Sequence, residues 1–230
     1  MVSAGILAAC IKSRPQLFEG IHPLDLDTIL TAATQRHFAA KAPITNQGYP
    51  ADHLFLLTKG RARYTFTTQE GKKTVLVWLA PGEILGAAAL LSKPSTYVVS
   101  SEAVEATSVV AWDRVTIRGL AHRYPRLVEN ALWTATEYLI WYAAAHAALT
   151  TQNAEQRLSE VVTCLAQVIG REVPDGVELD VINDELASAA NITRFTTSRL
   201  LGKWRRSGLI RKHRGKLVLP STNCLQPQNR

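Results

Sequence analysis

The segment from Asn183 to Leu219 constrains this chain more than any other part of it. Its sequence predicts a helix, a tight turn, a second helix and a short basic hairpin. At about 100° per residue, the second helix separates into two faces. One face suits a core and carries Thr197, Leu200, Leu201 and Trp204. The opposite face can reach a partner and carries Phe195, Arg199, Gly202 and Arg206.

Cap and turn residues favour the same interpretation. Thr193 predicts an N-cap, because its hydroxyl can accept a hydrogen bond from an unpaired amide of the first turn. Asn191-Ile192 supplies the turn, and Gly208 suits the position just after the helix end. This order is typical of a helix-turn-helix whose second helix enters the major groove of double-stranded DNA.

Positive charge is concentrated in the same part of the chain. Residues 183–230 contain ten Lys and Arg against two Asp and Glu, a net charge of +8, whereas the whole chain carries +7. The preceding residues therefore sum to −1. A local excess of this kind is expected of a phosphate-binding surface, so the sequence predicts double-stranded DNA as a partner. The alternative interpretation is a solvated basic helix.

Length and composition exclude several other classes. The 230 residues suffice for two modest domains, and 47% hydrophobic with 20% charged residues is ordinary for a folded soluble protein. No apolar run approaches the roughly 20 residues that span a bilayer, so we expect a cytoplasmic protein without a membrane partner. No carboxylate pair, nucleophile–base set or phosphate loop has persuasive spacing, and we do not expect an enzyme.

The cysteines are few and far apart. They are Cys10, Cys164 and Cys224, and they form no C-x-x-C pair. We therefore expect neither a zinc site nor a four-cysteine iron–sulfur cluster within the chain. Three reduced thiols are expected instead. Cys164 lies in an apolar helical run, so we expect it in the protein core.

Short apolar or alternating runs follow one another between Ile44 and Trp112. Gly and Pro turn residues separate them, which predicts an antiparallel sandwich or barrel. The runs are HLFLL, ARYTFTT, TVLVWL, YVVSS and SVVAW.

A long helix is predicted after Pro125, which suits a first helical position. The run that follows has no Gly or Pro and spans about seven turns. Its first stripe at coiled-coil spacing comprises Leu132, Ala135, Leu139, Tyr142, His146 and Leu149. Its second stripe comprises Thr134, Tyr138, Trp141, Ala145 and Ala148. Because both stripes must be buried, one can lie on the β domain and the other on a partner helix, which predicts a homodimer.

The remaining elements complete three predicted domains. A helix is expected over Ala154–Ile169, with a hinge and cap at residues 150–153, and a short strand over Val177–Val181. We therefore expect a β domain over 1–124, a long dimerisation helix and hinge over 125–153, and a winged helix-turn-helix DNA-binding domain over 154–230.

This order of elements resembles the CRP/FNR family of bacterial transcription regulators over nearly the whole chain. The markers in the β domain are Lys59-Gly60, Glu70-Gly71-Lys72, Pro81-Gly82-Glu83 and Gly86. The markers in the DNA domain are Asp184-Glu185-Leu186-Ala187 and Thr193-Arg194-x-Thr196-x-x-Arg199. The resemblance implies an α+β fold with an antiparallel β-roll of double-stranded β-helix or jelly-roll type. It also implies a homodimer gated by an effector and, for an activator, contact with RNA polymerase.

The resemblance also implies roles for residues of the DNA domain. Arg194 and Arg199 match arginines that contact base edges, as the bidentate pairing of Arg with guanine requires. Thr193 and Thr196 match phosphate contacts. Phe195 departs from the Glu of many members and can only touch apolar groups such as a thymine methyl; the alternative is local packing. Arg206 lies on the same face, and the wing offers Arg211, Lys212, Arg214 and Lys216.

The effector site departs from the cyclic-nucleotide-binding members. Ala87, Tyr97 and Val98 stand where those members carry a Glu for the ribose and an Arg-Ser pair for the phosphate. Because a cyclic phosphate needs a cationic or multi-amide cradle, we do not expect cyclic AMP as the ligand. An apolar or planar effector is expected, or none. The expected pocket residues are Leu85, Gly86, Ala87, Leu90, Tyr97, Val98 and Tyr142.

One version of that pocket would hold haem. The FTTSRLLGKW stretch and the aromatic long helix resemble a subgroup associated with nitric-oxide responses in denitrifiers. Imidazole suits iron, and the candidate ligands are His146 and His53. The alternative for His146 is a packed or solvated position on the helix seam. A further alternative is a DNA-binding protein that needs no effector.

Overall fold

The computed structural model describes residues 16–213, 216–221 and 225. They form two compact units, one up to Ile140 and the other from Trp141 onward. The boundary falls inside the long helix, whereas the sequence placed domain boundaries at both ends of that helix.

Two four-stranded antiparallel sheets build the first unit. The strands are β1 (Thr34–Phe38), β2 (Pro43–Thr45), β3 (His53–Lys59), β4 (Ala62–Thr67), β5 (Lys73–Leu79), β6 (Ile84–Leu85), β7 (Ser100–Ala103) and β8 (Thr107–Asp113). One sheet has the order β1-β8-β3-β6 and the other the order β2-β7-β4-β5. This confirms the predicted antiparallel β-roll.

The centre of strand β3 is buried on both faces, which explains its unbroken apolar run. Phe55 and Leu57 pack with Leu79 of the other sheet, whereas Leu54 and Leu56 pack beneath helices. A strand covered on both faces reads as a continuous hydrophobic run rather than an alternating one. The first unit is therefore layered as helices, sheet and sheet.

Three helices complete this unit: α1 (Pro23–Thr31), α2 (Arg114–Arg123) and the start of α3 (Arg126–Thr151). Trp112 is fully buried beneath them, and its indole N–H donates to the carbonyl of Ile29 at 2.8 Å. Pro125 lies just before α3 rather than at its first position, and its carbonyl accepts the amides of Val128 and Glu129. The difference from the predicted start is one residue, which is within the usual uncertainty of a helix boundary.

The start of α3 is anchored on the first unit through polar and apolar contacts. Leu127 and Ala131 join the cluster beneath the helices. Asn130 is buried, and its amide donates to the carbonyls of Leu17 and Glu19, both at 2.9 Å. Thr134 is buried as well. One side of the helix is thereby fixed on the β-roll.

Some elements of this unit differ from the sequence expectation. Strand β1 and helix α2 were not predicted, because β1 is exposed along most of its length and α2 contains Gly119. The expected YVVSS strand begins only at Ser100, since Tyr97 belongs to a turn region.

The second unit is a winged helix-turn-helix, as predicted. Its helices after α3 are α4 (Ala154–Val168), α5 (Asn183–Ala189) and α6 (Arg194–Arg206). Its strands are β9 (Arg171–Val173), β10 (Gly176–Leu179), β11 (Arg211–His213) and β12 (Lys216–Leu219), in the antiparallel order β11-β12-β10-β9. Asn153 caps α4 through a capping box with Gln156, which confirms the predicted cap.

Of the helices in the described part of the chain, none combines the length and apolar character needed to cross a membrane.

Replacing Asn130 with Ala should lower the free energy of unfolding by about 1–3 kcal/mol, since two backbone carbonyls lose their donor. Urea denaturation followed by circular dichroism measures this loss. Thr136→Ala is the matched control, because Thr136 is exposed on the same helix and bonds only within it. Equal stability of the two variants would contradict the anchoring role of Asn130.

Candidate nucleic-acid interface

The turn and caps of the helix-turn-helix follow from three residues. Asn191 adopts a left-handed backbone with φ 49°, which closes the turn between α5 and α6. The Thr193 hydroxyl accepts the amide of Thr196 at 3.1 Å and caps α6. Gly208, at φ 75°, follows the helix end. The sequence predicted all three roles.

Helix α6 has one buried and one exposed side, as the periodicity predicted. Thr197, Leu200, Leu201 and Trp204 are buried in the unit. On the opposite side Phe195 is 79% exposed, and Arg199 and Arg206 are exposed too. The exposed side is therefore free to meet a partner.

A carboxylate from α4 holds the buried side of α6 in place. One Glu155 oxygen accepts the Trp204 indole N–H at 2.9 Å, and both oxygens accept from the Lys203 ammonium at 2.8 and 2.9 Å. Hydrogen bonding from Lys203, followed by that from Trp204, lowers the pKa of Glu155. Sequence analysis did not single out Glu155; its position two residues after the Asn153 cap was the available signal.

Arg157, which the sequence did not point to, links the segment between α3 and α4 to the turn of the helix-turn-helix. Its guanidinium donates to the carbonyl of Gln152 at 2.7 Å and to that of Ala190 at 3.0 Å. A longer contact of 3.4 Å reaches the carbonyl of Asn191. One side chain thus donates hydrogen bonds both to the residues just before α4 and to the residues just after α5.

The first turn of α6 brings together several of the predicted DNA contacts. Arg194 is exposed, and its Nε lies 3.0 Å from Oδ1 of Asp184 on α5. The hydroxyls of Thr193 and Thr196 are hydrogen-bonded to each other at 2.9 Å. Sequence analysis did not foresee the Asp184–Arg194 ion pair.

The wing residues have unequal surroundings. Arg211 and Lys212 are exposed on β11, whereas Arg214 lies outside the described residues. The Lys216 ammonium is paired with Glu178 at 2.9 Å and lies 3.7 Å from Asp180. Because Lys216 is held by the sheet, it differs from the freely available cation that the sequence suggested.

A cleft of about 200 Å³ separates the wing from the helix-turn-helix. Arg194 and Lys212 approach it from the two sides, together with Asn183. Apolar residues form the rest of its lining: Val181, Ile182, Leu186, Leu201 and Leu217. Two cations therefore face one space beside the exposed side of α6.

The residues expected around an effector lie in different surroundings. Leu85 is fully buried between the sheets, so it lines the core rather than an open pocket. Leu90 packs against the cluster beneath the helices, and Val98 is 73% exposed. Gly86 and Ala87 are partly exposed at the start of a short 3-10 turn.

Tyr97 fastens this turn region to β3. Its hydroxyl accepts the His53 amide at 3.1 Å and donates to the His53 carbonyl at 3.0 Å. Burial raises the pKa of the Tyr97 phenol, so it remains neutral at physiological pH. A Cβ on Gly86, at φ 77°, would lie 2.5 Å from the same carbonyl. Tyr97 thus makes structural hydrogen bonds at a position where cyclic-nucleotide-binding members are expected to bind phosphate.

Two arginines of α2 hold the far end of the same turn region. Arg114 donates to the carbonyls of Ala89 and Leu91 at 2.9 and 2.7 Å. Arg118 donates to the carbonyl of Ser92 at 2.6 Å. Both guanidinium groups are therefore committed to backbone oxygens.

Of the two candidate haem ligands, His53 contacts an arginine and His146 is exposed to solvent. His53 Nε2 is 2.8 Å from the guanidinium of Arg36, and burial followed by Arg36 lowers the pKa of His53. Ligation through Nε2 would have to break this contact. His146 is exposed on α3. In the described ranges no cluster of three or more His, Cys, Asp or Glu could hold a metal ion.

The cysteines add no further chemistry to the described structure. Cys164 forms no disulfide and is partly buried on α4, where a core position was expected. Cys10 and Cys224 lie outside the described residues.

The first predicted stripe of α3 is largely exposed. Leu139 is 68% exposed, and Leu132 and Leu149 are also exposed, as are Ala135 and His146. Tyr142 is partly buried, which raises the pKa of its phenol to about 12. In the second stripe, by contrast, Tyr138 packs against Tyr64 of the β-roll with ring centroids 6.1 Å apart.

Comparison with known proteins agrees with this architecture. The cyclic nucleotide-binding domain family matches residues 35–124, and the Crp-like helix-turn-helix domain family matches residues 156–227. The cyclic AMP receptor protein of Thermus thermophilus is 28% identical over 94% of this chain and 97% of its own length. The global nitrogen regulator of Synechococcus elongatus is 25% identical over 79% of this chain and 83% of its own.

Solved structures show the same fold. A CRP-family transcriptional regulator from Thermus thermophilus, 26% identical, superposes with a TM-score of 0.70 over 83% of this chain and 94% of its own. The c-di-GMP-responsive global regulator of Xanthomonas campestris, 18% identical, does so with a TM-score of 0.75 over 86% and 99%.

A β-roll followed by a long helix and a winged helix-turn-helix defines a DNA-binding regulator rather than an enzyme. With both domain families matched in that order, the chain belongs to the CRP/FNR family of transcription regulators.

Replacing Glu155 with Gln should lower the thermal stability of the second unit, because a neutral amide cannot pair with Lys203. Because the pKa of Glu155 is lowered, its carboxylate stabilises the folded state at pH values above the ordinary pKa of a carboxyl group. This stabilisation is lost as the pH falls through the lowered pKa. The deficit of the variant should therefore be largest near neutral pH and disappear in acid. Thermal unfolding across that pH range measures it.

Glu172→Gln is the matched control, since it removes an exposed carboxylate from β9. The same pH-dependent deficit in both variants would show that Glu155 has no special part in holding α6.

Proposed function

We propose that this regulator acts as a homodimer that reads a palindromic DNA site through the exposed side of α6. The observation that carries the proposal is the orientation of α6: its apolar side is buried, while Arg194, Phe195 and Arg199 are exposed together. Arginine can pair bidentately with guanine in the major groove, so Arg194 and Arg199 are the proposed base-reading residues.

The proposed backbone contacts surround these two arginines. Thr193 and Thr196 would contact phosphate at the start of α6, and Arg206, Arg211 and Lys212 would add positive charge. Arg214, outside the described residues, and Lys216 belong to the same wing. Lys216 would contribute less than Lys212, because it is already paired with Glu178.

Phe195 gives the proposed site its own base preference. A side chain this exposed, next to two arginines, is not used for packing within the described unit. Because phenylalanine offers no hydrogen bond, it can favour an apolar group such as a thymine methyl. The half-site should therefore differ from one read by a glutamate at the same position.

Homodimer formation is supported by the exposed stripe of α3. Its proposed contacts are Leu132, Ala135, Leu139, Tyr142, His146 and Leu149, at the spacing of a coiled-coil seam. Such a seam would pair two copies along α3. Two α6 helices would then meet half-sites about one helical turn, or about 34 Å, apart.

The proposed regulator is gated by something other than cyclic AMP, or needs no effector. Tyr97 is bonded to β3, Val98 is exposed and uncharged, and the nearby Arg114 and Arg118 are bonded to carbonyls. These groups leave a cyclic phosphate without the cationic partner it requires. We propose that the regulator acts in the cytoplasm and, at activated promoters, contacts RNA polymerase.

Selection from random DNA, followed by binding titrations at several salt concentrations, tests the DNA proposal. The expected product is a two-fold symmetric motif. Arg199→Ala should cost about 1–3 kcal/mol and relax the choice at one position of each half-site. Lys212→Ala should weaken all sequences alike and reduce the salt slope by about 1. Added cyclic AMP should leave the affinity unchanged.

A selection that yields no symmetric motif, with or without cyclic AMP, would falsify the proposed function. A rise in affinity on adding cyclic AMP would overturn the effector proposal alone.

Changing Leu139 to Asp should convert the dimer into a monomer, because a charge would lie in the apolar seam. Sedimentation equilibrium measures the mass. Val115→Asp is the matched control, since Val115 is 83% exposed on α2 and lies outside the stripe. A dimer that survives Leu139→Asp, or is lost equally in the control, would contradict the proposed interface.

A further inference from the structure

We propose that Asp184 is a positioning residue that raises the DNA selectivity of Arg194. The proposal rests on the proposed function, since it assumes that Arg194 reads a base. Asp184 would hold the guanidinium on the base-reading side and keep it away from phosphates. It would thereby lower the affinity for DNA of the wrong sequence.

The first supporting observation is the ion pair itself. Arg194 Nε lies 3.0 Å from Asp184 Oδ1, and the two side chains are 76% and 55% exposed. The contact joins α5 to the first turn of α6, so it spans the two helices of the motif. It is the only ion pair of a proposed base-reading arginine among the described residues.

The donors of the guanidinium allow pairing and reading together. Arginine has five N–H donors, one on Nε and four on the two terminal nitrogens. Bidentate reading of guanine needs two donors. The recorded contact of the carboxylate is with Nε, and the proposal assigns the terminal nitrogens of Arg194 to the base. A restrained side chain also loses less conformational freedom when it binds.

The second observation is the distribution of acidic groups. Residues 183–230 contain only two of them, Asp184 and Glu185. The Glu185 carboxylate accepts the Ile182 amide at 3.1 Å and so helps to cap α5. Within residues 183–230, Asp184 is therefore the carboxylate that pairs with a proposed base-reading arginine, whereas Glu178, outside that segment, pairs with Lys216 of the wing.

The cleft beside the wing shows what Asp184 would prevent. Arg194 and Lys212 line the same space of about 200 Å³, and in the proposal an unrestrained Arg194 would share a phosphate contact with Lys212 there. Such a contact would strengthen binding to any DNA sequence. The ion pair with Asp184 competes with it and leaves the phosphate to Lys212.

The decisive variant is Asp184→Asn, measured on the full chain with a duplex of scrambled sequence. Its affinity for that duplex should rise by about two- to fivefold, the range expected of an exposed ion pair. Its salt slope should steepen by up to about 0.9, because one more phosphate is neutralised. Affinity for the selected motif should rise less, so the ratio of specific to non-specific affinity falls.

Asp175→Asn is the matched control, because it removes one exposed carboxylate from the β9–β10 turn without touching Arg194. An equal rise in this control would reduce the effect to net charge and overturn the proposal. The same change is made in an Arg194→Ala background, where the effect of Asp184→Asn should vanish. A rise that persists there also overturns the proposal.

These outcomes separate the proposal from the proposed function. If selection yields no motif, the proposed function fails, but coupling between Asp184 and Arg194 on scrambled DNA still shows whether the carboxylate restrains the guanidinium. If a motif is found and Asp184→Asn leaves the specificity ratio unchanged, only the role of Asp184 is wrong.

Discussion

Burial of one side of α6 is the constraint on which the DNA-binding unit depends. Trp204 has the largest side chain on that side, and its indole N–H needs an acceptor once it leaves water. Glu155 supplies that acceptor and is itself neutralised by Lys203. These contacts fix the rotation of the helix, so the exposure of Arg194 and Arg199 follows from the packing on its opposite side.

The sequence predicted this arrangement because the information is local. Caps, turn and two-faced periodicity lie within a short segment, and each has its own chemistry, as with Thr193 and Gly208. Contacts between distant residues could not be predicted in the same way. Strand β1 is held by its pairing with β8, although its own residues are mostly exposed and show no alternation. Asn130 reads as an ordinary polar helix residue, yet it is buried against Leu17.

The effector region shows the same limit in another form. The sequence identified the positions where a phosphate partner is replaced, at Tyr97 and Val98. It could not show that Tyr97 makes two backbone hydrogen bonds to His53, nor that Leu85 has no exposed surface. At the position where the resemblance implies a phosphate partner, Tyr97 therefore makes structural hydrogen bonds to His53. A ligand that binds in this region must therefore leave the hydrogen bonds of Tyr97 to His53 intact or break them.

The segment between α3 and α4 is bonded to the helix-turn-helix. Gln152 lies between α3 and α4, and its carbonyl is bound by Arg157, which also binds the carbonyl of Ala190 in the helix-turn-helix. Glu155, next to the hinge, holds the buried side of α6. Both residues belong to the first turn and a half of α4, so the start of that helix is bonded to the turn and to the second helix of the helix-turn-helix. Gating in such a protein would alter where the reading helices point, while the Asp184–Arg194 pair within each motif stays intact.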